Sequence, residues 1–293
     1  MIKAFGIRFR LHPLFTLMMV LSIATGFFVE LLILFSIVLI HELGHVAAAK
    51  SFGWTVTKVE LLPFGGVAET EELGRSTVKE DIAVALAGPL QNGWMVLVGF
   101  ALHHWGIWST EWSVYFIEAN IMIGLFNLLP VLPLDGGKVL QALLSRWMPY
   151  YRAIQASTWT SIAMSGLLLI MALWQITNGG VALNLLIIAG FLLVSNWYGL
   201  RGASYQFVRF LTNRGMRMTP LIDKGTLAQP IVIAPHRSLS DIVQLFMREK
   251  YHIVYILGAG GGVSAVLPEQ RLLEAYFNSP RPGSPVSDIF MLK

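Results

Sequence analysis

The sequence predicts an α-helical membrane protein: six transmembrane helices with a small re-entrant β-hairpin, followed by a cytoplasmic α+β domain. Three observations carry that expectation. Of 293 residues, 55% are hydrophobic and only 13% charged, about half the charged share of a soluble domain, and the mean hydropathy is +0.63. Six apolar stretches have spanning length: Pro13 to Val29, Leu31 to Ala49, Ile82 to Leu102, Trp112 to Leu129, Ala156 to Thr177 and Val181 to Leu200. At about 1.5 Å of rise per residue each can cross roughly 30 Å of hydrocarbon, the shortest only barely. After Leu200 the composition turns polar. Together these exclude a soluble enzyme. The absence of cysteine also excludes disulfides, thiolate metal sites and cysteine nucleophiles, so any metal chemistry must use nitrogen and oxygen ligands.

The first stretch follows Lys3, Arg8 and Arg10 and imitates a signal peptide. No A-x-A-like cleavage site follows it, and it reads as a retained helix. Basic residues collect in alternate loops, at Lys50, Lys58, Arg75 and Lys79, then at Lys138, Arg146 and Arg152, then at Arg201, Arg209, Arg214 and Arg217. The intervening loops around Glu30, His103 to Glu111 and Asn178 to Gly180 contain none, which places both termini in the cytoplasm. The net charge of +4 thus reflects topology, and no direct nucleic-acid partner is expected.

Three regions follow: a membrane domain over 1–200, a basic membrane-surface linker over 201–217, and a cytoplasmic domain over 218–293. In the last, Ser238 and Asp241 open a helix with Leu239, Ile242, Leu245 and Phe246 on one face. Strands are expected at His252 to Leu257 and Gly262 to Leu267, then a short helix from Pro268 to Phe277.

The second stretch contains His41-Glu42-Leu43-Gly44-His45. Positions i and i+4 share a helix face, so both imidazoles can meet one metal ion while Glu42 acts on water beside it. Two imidazoles and a carboxylate are costly in a bilayer and are retained for a function. A catalytic zinc commonly has three protein ligands. Asp135 is the candidate third, in Asn127-Leu-Leu-Pro130-Val-Leu-Pro133-Leu134-Asp135-Gly136-Gly137, where non-helical backbone at membrane depth needs protein or a watery cavity around it. An aspartate before Gly-Gly also caps turns. Asn127 is a candidate donor to a substrate backbone, or else an interhelical bond. Val59 to Val67, with Pro63-Phe64-Gly65-Gly66 at its turn, is apolar enough to dip into the membrane as a hairpin whose edge pairs with an extended substrate; a tight turn packed on the helices is the alternative.

H-E-x-x-H in one span with N-x-x-P-x-x-P-x-D-G in a later one resembles the site-2 protease family of intramembrane zinc metalloproteases. The phrases Leu61 to Gly66, Ala87 to Gln91 and Leu132 to Lys138 are similar to those of its sporulation members. The resemblance implies His41, His45 and Asp135 as ligands of one zinc ion and Glu42 as catalytic base. Phe64, Gly65, Gly66 and Asn127 are the candidates for substrate contact. It implies as substrate a membrane-associated protein, the pro-form of a sporulation sigma factor, together with inhibitory membrane proteins and a location in the membrane surrounding the forespore. Residues 218–293 are similar to a CBS motif, a type that binds ATP or another adenine nucleotide. Such motifs work in pairs and one is present here, which implies a homo-oligomer through that domain. The competing classes are a membrane metal transporter, which lacks the expected internal repeat and gives Glu42 no task, and a catalytically silent nucleotide-sensing receptor, which an intact H-E-x-x-H argues against.

Overall fold

The computed structural model describes residues 2–4, 7–11, 13–62, 65–71, 76–178, 180, 182–258, 261–279 and 283–290. The chain forms two compact units, Met1–Leu140 and Gln141–Lys293. In chain order the first contains β1 (Ile2–Ala4), β2 (Ile7–Leu11), α1 (Pro13–Thr25), α2 (Phe28–Ser51), β3 (Thr55–Leu62), β4 (Gly65–Glu71), α3 (Val78–His104), α4 (Thr110–Asn127) and the start of α5 (Asp135–Trp147). Gly26, at φ 85°, makes the left-handed turn between α1 and α2. At the start of α3, Thr77 Oγ1 accepts from the Glu80 N–H at 3.2 Å while Glu80 Oε2 accepts from the Thr77 N–H at 3.1 Å, a capping box that satisfies two orphan donors.

Helices α2, α3 and α4 pack through small residues. A Cβ on Gly44 of α2 would come within 2.6 Å of Gln91 Cγ and 2.7 Å of the Ala87 carbonyl on α3, and one on Gly99 of α3 within 2.9 Å of Ile117 on α4. Such close approach suits helices that cannot rely on the hydrophobic effect to associate. Ile37, Met95 and Ala119 fill the space among the three.

The expected hairpin is present, with Leu62 paired to Gly65 and Leu61 to Gly66; Phe64 lies outside the described residues. It belongs to a larger sheet than expected, in the order β1-β2-β3-β4, with β2 parallel to β3. The alternation in Ile7-Arg8-Phe9-Arg10-Leu11 is the period of a strand.

The second unit holds most of α5, then α6 (Tyr150–Thr177), α7 (Leu183–Thr212), α8 (Arg214–Asp223), β5 (Ala228–Ile233), α9 (Leu239–Val243), β6 (Tyr251–Leu257), β7 (Val263–Pro268), α10 (Glu269–Asn278) and α11 (Val286–Ile289). α6 buries Ser157, Thr158, Ser161 and Ser165 along one side, each hydroxyl donating to a carbonyl of its own helix. The sheet runs β5-β6-β7, the first pair parallel and the second antiparallel. Ser238 caps α9 by accepting from the Asp241 N–H. The interval 201–217, expected as a linker, is helical: it is the end of α7 and the start of α8.

Among the described residues helices occupy most of each of the six apolar stretches, and four helical segments are long and apolar enough to cross a membrane: α2, α3, α6, and α7 running into α8. α1 has 13 residues, and α4 carries Glu111, Glu118, Asn120 and Asn127 within its 18. Leu90, Trp94, Leu97 and Phe100 on α3 are exposed at helical spacing, as are Leu183, Ile187, Phe191 and Val194 on α7. Apolar stripes of this kind suit lipid.

Candidate metal centre

The centre lies within the first unit, between α2 and the start of α5, with α3 behind it. His41 and His45, one turn apart on α2, are both buried, as is Glu42 between them in sequence. Asp135 opens α5, where a carboxylate also complements the helix dipole. The two glycines after it let the helix start pack on the preceding segment: a Cβ on Gly136 would overlap the Leu128 carbonyl, and one on Gly137 would lie 2.5 Å from the Leu132 nitrogen. The side chain of Asp135 is thereby brought to α2. Its Oδ2 is 3.2 Å from His41 Nε2 and 3.1 Å from His45 Nε2, and the two Nε2 atoms are 3.1 Å apart.

These distances test whether a metal fits. In a tetrahedral zinc site with bonds near 2.0–2.1 Å, ligand atoms stand about 3.3 Å apart, close to this nearly equilateral triangle. The donor chemistry agrees. His45 Nδ1 lies 2.7 Å from the Val84 carbonyl, which only accepts, so Nδ1 carries the proton and a neutral ring turns a lone pair at Nε2 toward Asp135. His41 Nδ1 is 2.6 Å from Asn92 Oδ1. A single proton can serve one pair of the three converging atoms; a metal ion serves all three. Outer partners of this type orient imidazole ligands in metal sites generally.

Asp135 Oδ1, the oxygen turned away from the histidines, accepts from Lys138 Nζ at 2.9 Å. On α3, Gly88 faces both rings: a Cβ there would overlap His45 Nε2 and lie 2.6 Å from His41 Nε2. The next residue, Pro89, removes one helical hydrogen bond from the same part of α3.

The structure therefore brings His41, His45 and Asp135 together and buries Glu42 beside them. Asn127 ends α4 with its Nδ2 donating to the Ile123 carbonyl at 3.0 Å, an intrahelical bond rather than the interhelical one considered from sequence. Gly65 and Gly66 open β4, which pairs on one side with β3 and, among the described residues, ends the sheet. Asn92 and Asn120 were not singled out from the sequence, and Gly88 and Lys138 stood there only within the phrases Ala87 to Gln91 and Leu132 to Lys138, with no role at the centre. Asn92 and Asn120 gave a usable signal, as amides inside otherwise apolar segments.

The profile of Peptidase family M50 matches residues 29–106 and 100–173, which contain all of these groups. The chain is 32% identical over 285 residues to stage IV sporulation protein FB of Bacillus subtilis, covering 97% of this chain and 96% of that one. It is 26% identical over 302 residues to a zinc metalloprotease of Methanocaldococcus jannaschii, covering 98% and 84%. Among solved structures, the site-2 protease from Methanocaldococcus jannaschii aligns with a TM-score of 0.53 at 26% identity over 68% of this chain and 93% of that one. Fold, donor set and relatives together define a membrane zinc metalloprotease of the site-2 type, an enzyme of intramembrane proteolysis. The chain belongs to peptidase family M50.

Proposed function

We propose that the chain hydrolyses a peptide bond of a membrane-associated protein near the cytoplasmic leaflet, with His41, His45 and Asp135 holding one zinc ion and Glu42 as general base. The observation that carries the reading is the convergence of two Nε2 atoms and one carboxylate oxygen at 3.1–3.2 Å inside a helical, lipid-suited unit. Zinc in such a site supplies Lewis acidity and makes water nucleophilic near neutral pH. Glu42 takes the proton of the attacking water as its oxygen bonds to the scissile carbonyl carbon, and delivers it to the departing amide nitrogen as the C–N bond breaks. The free edge of β4 holds the substrate extended by strand addition, with Phe64, Gly65 and Gly66 at the turn and Asn127 as a further donor once its bond to Ile123 is exchanged.

The architecture proposed around this site is six spans over 1–200 with both termini cytoplasmic, a basic linker over 201–217 and a CBS-like domain over 218–293. Near full-length similarity to a sporulation protein supports a sigma-factor precursor as substrate, inhibitory membrane partners and a forespore-surrounding membrane. The CBS-like domain takes an adenine nucleotide and pairs with a second copy; a flat ATP titration of the purified full-length chain retires that part.

The test of the core reading is co-expression with a candidate precursor. Glu42→Gln is expected to reduce cleavage about 10²–10⁴-fold with zinc content unchanged. Cleavage at the wild-type rate removes Glu42 from its role, and a wild-type protein free of zinc by elemental analysis removes the centre.

A further inference from the structure

Behind His41 runs a chain of side-chain amides that the proteolytic reading does not require. Asn92 on α3 and Asn120 on α4 are 2% and 0% exposed. His41 Nδ1 meets Asn92 Oδ1 at 2.6 Å, Asn92 Nδ2 donates to Asn120 Oδ1 at 3.2 Å, and Asn120 Nδ2 donates to the Phe116 carbonyl at 2.8 Å. Gly124, one turn beyond Asn120, presses on the same side chain: a Cβ there would lie 3.1 Å from Asn92 Cβ. Asn92 is thus held by two positions of α4 while it reaches toward α2.

The polarity of the chain has one fixed end. A backbone carbonyl only accepts, so Asn120 must turn its NH₂ to Phe116 and its oxygen to Asn92. Asn92 must then present its own NH₂ to Asn120 and its oxygen to His41. An oxygen there requires a proton on Nδ1, and a neutral ring with Nδ1 protonated has its lone pair at Nε2, the atom facing Asp135 and His45. His45 reaches the same tautomer in one step through the Val84 carbonyl. Among the described residues His41 meets no backbone carbonyl at Nδ1 and reaches that tautomer in three. Each amide oxygen and nitrogen thus has a partner, as polar groups buried in a helical membrane unit require.

We propose that Asn92 and Asn120 are positioning residues: by transmitting the polarity of the Phe116 carbonyl they hold His41 in the tautomer and ring orientation that receives zinc. This rests on His41 being a ligand, which the zinc content of the wild-type protein tests separately. The competing role is adhesion, since hydrogen bonds between amides also join membrane helices. The two roles separate at Asn92→Asp, which keeps an oxygen for His41 but loses the donor to Asn120.

The experiment uses the full-length chain in detergent or bilayers. In a chelator competition, Asn92→Leu is expected to weaken zinc binding about 10–100-fold, Asn120→Leu less, and Asn92→Asp to restore it. Nitrogen spectra of the metal-free protein carrying ¹⁵N-histidine read the tautomer without any reference to activity. His41 is expected to be protonated at Nδ1 in the wild type and in Asn92→Asp, and to become a mixture of tautomers in Asn92→Leu while the His45 signals stay unchanged. An Asn92→Leu protein with wild-type zinc affinity and Nδ1 still protonated overturns the proposal. So does an Asn92→Asp protein as impaired as Asn92→Leu, which would leave the amides with helix adhesion alone.

Discussion

At Gly88 a single hydrogen keeps the centre open. The residue is on α3, behind both imidazoles, and even a methyl group there would clash with both Nε2 atoms. Gly88→Ala is expected to abolish zinc retention without unfolding α3, because alanine favours a helix. Gly93→Ala on the same helix, where an added Cβ meets nothing within 4 Å, is the matched control and is expected to keep its zinc. Equal zinc content in the two variants, measured by elemental analysis after dialysis, would refute the steric account. The residues that converge at the proposed zinc site were legible in the sequence, because their chemistry is local: an i, i+4 pair of histidines around a glutamate, and an aspartate in a segment too rich in proline and glycine to be an ordinary helix end. Gly88, Asn92 and Asn120 carried only the signal of a small or polar residue in an apolar span, with no role attached, because nothing in an isolated helix says which of these residues a neighbouring helix will press against the site.

Among the elements, the long helices were legible from apolar length and β6 and β7 from β-rich runs on either side of a glycine-rich turn, whereas β5 was not expected from the sequence. β1 and β2 show the limit of that method. A short strand of alternating Arg and apolar residues next to an apolar helix has the composition of a membrane-flanking basic segment, and only pairing with β3, more than forty residues later in the chain, distinguishes the two. The pairing of α6 depends on a different pattern. Ser157, Ser161 and Ser165 recur every fourth residue and are fully buried, with their hydroxyls returned to their own backbone, so the face they form is narrow and chemically quiet. Such a face admits close packing but no added volume. Ser161→Leu is expected to cost about 1–3 kcal/mol of stability through overpacking, read as a lowered unfolding temperature in detergent. Gly166→Leu, at a position where an added Cβ meets nothing within 4 Å, is expected to cost less. An unchanged midpoint for Ser161→Leu would mean that the serine face is not a tight contact.

On the scale of the whole molecule, the C-terminal module is not a bead on a string within its own unit. One hydrophobic core runs from Ile154 on α6 and Ala203, Phe207, Phe210 and Leu211 on α7 through Leu239, Phe246, Val254 and Leu272 of the module, so the end of α7 that the sequence reads as a linker is part of the packing. Arg214 fastens the joint: its guanidinium donates to Glu269 at 2.9 and 3.1 Å and to the Met247 carbonyl at 2.8 Å. His252 completes the network, accepting from the Met247 N–H at Nε2 and facing Glu269 Oε2 through Nδ1 at 3.2 Å. Burial holds the His252 pKa below its ordinary 6.5, against the pull of Glu269. Burial alone would raise the Glu269 carboxyl; the bond from His252 and the charge of Arg214 outweigh it and hold its pKa below the ordinary value. Both shifts act in the same direction. As pH falls below about 6.5, the unfolded chain takes up a proton at His252 that the folded module refuses, so stability is lost. The contribution of Glu269 is complete above the ordinary carboxylate range and disappears at lower pH still, as the folded pKa is crossed. Hydrogen-exchange protection of the β6 amides in the full-length protein, corrected for intrinsic exchange rates, is therefore expected to decline from pH 7 to pH 5, and His252→Gln to flatten that decline because glutamine does not titrate. A decline of the same slope in the variant would assign the acid sensitivity to other groups and leave the buried network without a part in it.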